Sequence, residues 1–282
     1  MKFLKSITKV FALVLSFCVT FNSLNVLAKA QSINSDAEVV RQELRSRGVP
    51  EGMIERYPED VLISMDIDKI SVDSKYYQVP NDESKEPIEI SEHQFFFRTE
   101  AAKSSSDEQL SNDGYLNQTI VVSYNSNADD YLISYYASWK TNPYNRKADA
   151  FGVAISNATV RSDKQVYAEY CYTRPLQTKP DVIDLSRTIS RFPHGVGAVV
   201  DLRNIGFILL DCRDMSVFSM FYAVHDNPSV NHIGVAGFYK HQEKVLQSDI
   251  SISMISMEVG LSISGTTNMV DMNPNPYVTY YR

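Results

Sequence analysis

From Leu116 onward, apolar residues tend to recur at every second position. Thr119–Tyr124 and Tyr131–Trp139 follow this period on either side of the polar run Asn125-Ser126-Asn127-Ala128-Asp129-Asp130, which predicts a hairpin with a longer loop. On its second strand Tyr131, Ile133, Tyr135, Ala137 and Trp139 share one face. Further runs predict strands at 150–156, 165–172, 196–201, 206–212, 216–224, 233–239 and 277–281, with Arg213-Asp214 as the turn of one hairpin. Val182, Leu185 and Ile189 predict a short helix between Asp181 and Phe192. Across 249–264, Ile250, Ile252 and Met254 alternate with serine. The phase then slips by one, and Ile255, Met257, Val259, Leu261 and Ile263 carry the apolar positions. A slip of one residue is what a β-bulge produces.

The first part of the chain has a different period. Ser35-Asp36-Ala37-Glu38 reads as a capping box, and Ala37, Val40 and Leu44 follow on one helical face. Gly48 is placed to end that helix in a left-handed conformation. Pro50 and Pro58 open two short helical pieces that carry Met53 and Ile54, then Val61, Leu62 and Met65. Residues 67–79 read as extended, His93–Arg98 as a strand, and 101–112 as a polar linker. The expected fold is mainly β: an antiparallel β-sandwich or flattened barrel at 116–282, preceded by a small acidic helical region and linker at 31–115.

Residues 1–30 form a third region. Lys2, Lys5 and Lys9 precede or open an apolar stretch of about a dozen residues that leads to Ala28-Lys29-Ala30, the three parts of a cleavable secretory signal. The stretch is shorter than the roughly 20 residues of a membrane-spanning helix. No later run approaches that length, so the expectation is a secreted or extracytoplasmic protein with no stable membrane span in its mature part. Losing the four lysines of 1–30 takes the net charge from −7 to −11. That balance speaks against nucleic acid as a partner. The acid is concentrated in 31–115, which holds 19 Asp and Glu against 9 Lys and Arg.

Motifs for chemistry are sparse. His194, His225, His232 and His241 lie in the last third beside Asp226, but no H-x-H or H-x-x-x-H pair brings two of them to one face, so no metal is assigned. Asp66, Asp68 and Asp73 lack the glycine and final glutamate of a calcium loop. G-x-S-x-G, H-E-x-x-H, G-x-G-x-x-G and P-loop patterns do not occur, so no cofactor and no catalytic residue is assigned. Cys171 and Cys212 form an even pair suited to a disulfide after export.

The 17 tyrosines are the stronger feature. Tyrosine joins a flat apolar body to a polar tip, a combination suited to interfaces and to stacking on sugars. Tyr131, Tyr135, Tyr136, Trp139 and Tyr167 are the candidate ligand-binding residues. Neighbours such as Tyr135 and Tyr136 point to opposite faces of a strand, which leaves one of them for solvent or a ligand. The functional expectation is an exported or surface-associated binding module for a glycan, peptide or protein. The alternatives are a hydrolase with acid and base residues from distant strands, or a membrane-active β-protein using 249–264.

Overall fold

The computed structural model describes residues 36–282 except 83–84, 105–112, 142, 144–147, 175, 203–211, 228, 243–250, 257–259 and 265–268; across the strands of 251–264 it describes the backbone. The export signal expected at 1–30, Ser35 and most of the strand expected at 206–212 lie outside the described residues.

Helix α1 (36–46) is followed by α2 (Glu51–Ile54), α3 (Glu59–Ser64) and a 3-10 turn at Ile67–Lys69. Next come β1 (Ile70–Val79), β2 (Ile88–Ile90), α4 (Glu92–Ser104), β3 (Gly114–Asn125) and β4 (Asp130–Thr141). The chain continues through β5 (Ala148–Ser156), β6 (Ala158–Val160), β7 (Tyr167–Thr173), β8 (Asp181–Asp184), β9 (Ser190–Phe192) and β10 (Gly195–Asp201). It ends with β11 (Arg213–His225), β12 (His232–Gln242), β13 (Ser251–Ser256), β14 (Gly260–Ser264), β15 (Met269–Asp271) and β16 (Tyr277–Tyr281).

Two antiparallel sheets form a sandwich and do not close into a barrel. The first sheet has the order β2-β1-β3-β4-β11-β7-β8, with β6 also paired to β11. The second has the order β15-β12-β5-β10-β9, with β16 paired to β12. Strands β13 and β14 pair with each other as a separate hairpin.

The inner face of β4 is the one the alternation predicts. Tyr131, Ile133, Tyr135, Ala137 and Trp139 all lie in the core between the sheets, against Phe151, Val153 and Ile155 of β5 and Val235 and Tyr239 of β12. Gly237 marks a close approach of the two sheets: a Cβ there would stand 2.6 Å from the Tyr135 ring.

The other face of the first sheet is buried as well. Ala37, Val40 and Leu44 of α1, Met53 and Ile54 of α2, and Val61 and Leu62 of α3 pack on Val121, Leu132, Tyr136, Phe218 and Met220. Gly48 ends α1 at φ 79°, and the Val49 amide donates to the Leu44 carbonyl at 3.0 Å. Arg56, just past α2, clamps this helical layer to the sheet. It pairs with Glu169 and Cys171 of β7, where the Arg56 and Glu169 side chains are only 17% and 6% exposed.

Three local expectations change. Residues 93–98 belong to helix α4, because Ser91 and Gln94 form a capping box: the Ser91 amide donates to Gln94 Oε1 at 3.1 Å and the Gln94 amide to Ser91 Oγ at 3.2 Å. Between Asp181 and Phe192, β8 pairs with β7, and the Leu185–Ile189 spacing serves a single turn in which the Leu185 carbonyl accepts from the Thr188 and Ile189 amides. Arg213 and Asp214 lie within β11, where an irregular register and a left-handed Asp214 (φ 54°) take the place of a turn.

Cys171 and Cys212 are both buried and are not joined to each other. Cys171 lies on the helix-facing side of the first sheet beside Arg56, whereas Cys212 belongs to the core between the sheets, so the sheet separates the two thiols.

Burial pushes the Cys171 thiol from 9.0 up to about 11. It also holds the phenols of Tyr57, Tyr135 and Tyr239 above their ordinary value of 10.0. A raised folded-state pKa means that the fold holds the proton more tightly than the unfolded chain does. The resulting stabilisation is complete below pH 9.0 and is lost as pH rises toward 11 and beyond. The urea midpoint followed by circular dichroism should therefore fall steadily above about pH 9. A midpoint that stays flat to pH 11 would contradict this linkage.

Candidate functional site

The structure places the aromatic residues that the sequence singles out mostly inside. Tyr131, Tyr135 and Trp139 sit between the sheets, Tyr136 sits under the helices, and Tyr167 is half-buried with its hydroxyl on Glu169. Tyr135 and Tyr136 do point to opposite faces, but both faces are covered. These five residues form no exposed strip.

An open cleft lies instead at one end of the sandwich, with a volume of about 570 Å³. It is lined by the β3–β4 turn (Ala128, Asp129), by β6 and the loop after it (Thr159–Asp163), by Val224 and His225 at the end of β11, and by Arg282. Asn125 builds the turn by accepting the Asn127 and Ala128 amides on its side-chain oxygen, at 3.0 and 3.2 Å. Asp129 follows in the left-handed region at φ 51°. Its carboxylate accepts the Tyr124 hydroxyl at 2.7 Å and the Arg282 guanidinium at 2.8 Å, with Arg282 also over the Tyr124 ring.

The charges in this cleft are paired within the protein. Arg161 binds both oxygens of Asp163 and reaches Asp130 at 2.9 Å. Asp130, fully buried at the start of β4, also takes Lys164 at 2.8 Å. Asp163 is lowered below its ordinary value, mainly by the Arg161 hydrogen bond.

Three histidines gather behind the cleft around the left-handed Asn157 (φ 59°) between β5 and β6. His225 Nδ1 donates to the Asn157 carbonyl at 3.1 Å, which leaves Nε2 to accept the Tyr131 hydroxyl. His194 Nδ1 donates to the Ala158 carbonyl at 2.9 Å, and His232 Nε2 lies 3.4 Å from the Asn157 amide nitrogen. Among the described residues, no group of three His, Cys, Asp or Glu side chains could hold a metal ion.

A second polar cluster is internal. Asp149 at the start of β5 is fully buried and accepts the Tyr239 hydroxyl at 2.5 Å, the Trp139 indole at 3.2 Å and His241 Nδ1 at 2.7 Å. It ties the ends of β4, β5 and β12 together, and none of its four residues lines the cleft described above.

The cleft leaves no local signature in the sequence, because its residues come from four segments between positions 128 and 282. The one available hint is the polar run 125–130, which marks the first of its loops.

No family model matches the chain, and no curated protein matches it. Among solved structures, it is similar to a collagen-binding domain from a Staphylococcus aureus adhesin at 6% identity and a TM-score of 0.29, over 54% of this chain and 88% of that one. It is also similar to the collagen-binding domain of Erysipelothrix rhusiopathiae surface protein RspB at 5% identity and a TM-score of 0.29, over 60% of this chain and 66% of that one. At these TM-scores the likeness says nothing about what this chain binds. Among the described residues, no helix is long and apolar enough to cross a membrane.

Proposed function

We propose that the protein is an exported binding module and that the cleft at the sandwich end holds its ligand. The observation that carries this reading is the pairing of charge in the cleft. Arg161, Arg282, Asp129 and Asp163 are engaged with one another or with buried neighbours, so the surface offers oriented hydrogen-bond donors and acceptors with little net charge. Such a surface suits an uncharged polar ligand, a glycan or the backbone of a peptide. It suits hydrolysis less well, since both ring nitrogens of His225 are committed.

Arrays of glycans and peptides should give a ligand whose binding drops about tenfold in Arg282→Ala, roughly 1.4 kcal/mol. The change is at the surface, where loss of the exposed ion pair to Asp129 costs the fold under about 1 kcal/mol. A ligand bound equally by the wild type and the variant would place recognition elsewhere.

A further inference from the structure

Strand β1 is paired with β3 along its whole length, but β2 covers only part of its other edge. The β2 partners are Tyr76 with Ile90, Tyr77 with Glu89 and Gln78 with Ile88. Alternate residues of a strand turn their N–H and C=O to opposite edges. The Lys75 carbonyl accepts the Asn117 side-chain amide of β3 at 3.4 Å, so odd-numbered residues face β3. The Ile70 carbonyl accepts Arg47, so even-numbered residues face outward. The Ser74–Thr119 pair agrees: the two are directly opposed and their hydroxyls lie 2.9 Å apart, the close approach of a pair that exchanges no backbone hydrogen bonds. Val72 and Ser74 therefore present backbone donors and acceptors that no described residue takes up.

A cavity of about 370 Å³ lies along this open edge. Arg47 and Gly48, just past α1, line one end, and Ser91 and Glu92 at the start of α4 line the other. Val72 and Tyr76 give it apolar surface on the helix-facing side of the sheet. Asp73 and Glu89 line it from the opposite face, since strand side chains alternate. Arg47 is spent on Glu43 at 2.7 Å and on the Ile67 and Ile70 carbonyls. Of the three carboxylates, Glu89 is paired with Lys75 at 2.8 Å, while Asp73 and Glu92 have no cation partner among the described residues.

We propose that this edge binds an extended segment of another protein, which joins the sheet as a strand in line with β2. Exposed, unpaired strand backbone is matched in full only by another strand. Residues 71–75 span roughly 17 Å, the length of a short peptide. The segment would alternate apolar side chains, which meet Val72 and Tyr76, with lysine or arginine, which meets Asp73 and Glu89. A second copy is disfavoured, because pairing by the same edge would bring Asp73 and Glu89 close to the same residues of the copy.

The test uses an array of acetylated heptapeptides that alternate Val, Ile, Leu or Phe with Lys or Arg. Wild-type protein should bind members of this set, and the Val72 and Ser74 amides should then exchange their hydrogens more slowly. N-methylation of alternate peptide amides in one register should weaken binding about tenfold or more, and in the other register should leave it within about twofold. Ser74→Pro removes an edge donor that β3 does not use and should abolish binding, whereas Ser74→Ala should bind as the wild type does. Glu89→Gln should weaken binding several-fold, and Asp214→Asn, an equal loss of charge on the distant β11, should not. No bound peptide, equal effects of both methylated registers, or loss in Arg282→Ala with none in Ser74→Pro, which would move the peptide to the cleft, would overturn the proposal.

Discussion

Asp149→Ala is expected to lower the stability of the fold by about 3–5 kcal/mol, because buried donors lose their shared acceptor at about 1–3 kcal/mol each. The change leaves His241 without its 2.7 Å carboxylate partner and takes an acceptor from both Trp139 and Tyr239, all of them buried. Domains have only about 5–15 kcal/mol to lose, so the variant should unfold at much lower urea concentration. Asp149→Asn keeps an oxygen for the indole and the hydroxyl and should lose less. A loss below about 1 kcal/mol in the alanine variant would mean that His241 and Asp149 are not paired as described.

The second large effect concerns the helical layer. Arg56→Ala strands Glu169 under the helices and should cost a similar amount, about 3–5 kcal/mol. Its location can be read by hydrogen exchange. Amides of 36–65 should open first, while those of β4 and β5 keep most of their protection. Combining Arg56→Met with Glu169→Leu removes both charges together and should recover much of the loss. If the double variant is no better than Arg56→Ala, the contribution of Arg56 comes from packing its stem and not from its charge.

How much of this was legible in the sequence depended on whether a local pattern had one physical reading. Tyr131 to Trp139 alternate over nine residues, and only a strand puts all five of those side chains on one face. The phase slip after Met254 likewise had one simple cause, and the bulge lies there. His93–Arg98 reads as a strand because an aromatic run favours one, whereas the signal that starts α4 is the Ser91–Gln94 capping box just before the aromatics. The tyrosines were read on the correct faces but with the wrong surroundings. Whether the second face of a sheet meets water depends on what else packs there, and α1–α3 dock on it from far away in the sequence. The cleft was not legible for the same reason, since Asp129, Arg161, His225 and Arg282 are adjacent only after the strands have paired.

The ties of the N-terminal third reach very far along the chain. Arg56 meets residues 113 and 115 positions later, and the Lys69 carbonyl accepts the hydroxyl of Tyr280, 211 positions on. The Tyr277 amide likewise donates to Asp73 at 2.7 Å, across 204 positions. The portion made first is therefore completed last. A ribosome must deliver nearly the entire polypeptide before β1 gains its contacts with β16, and closing such long loops is slow. The chain thus has an extended open interval after synthesis, during which it is exposed to proteases and to pairing with its own copies.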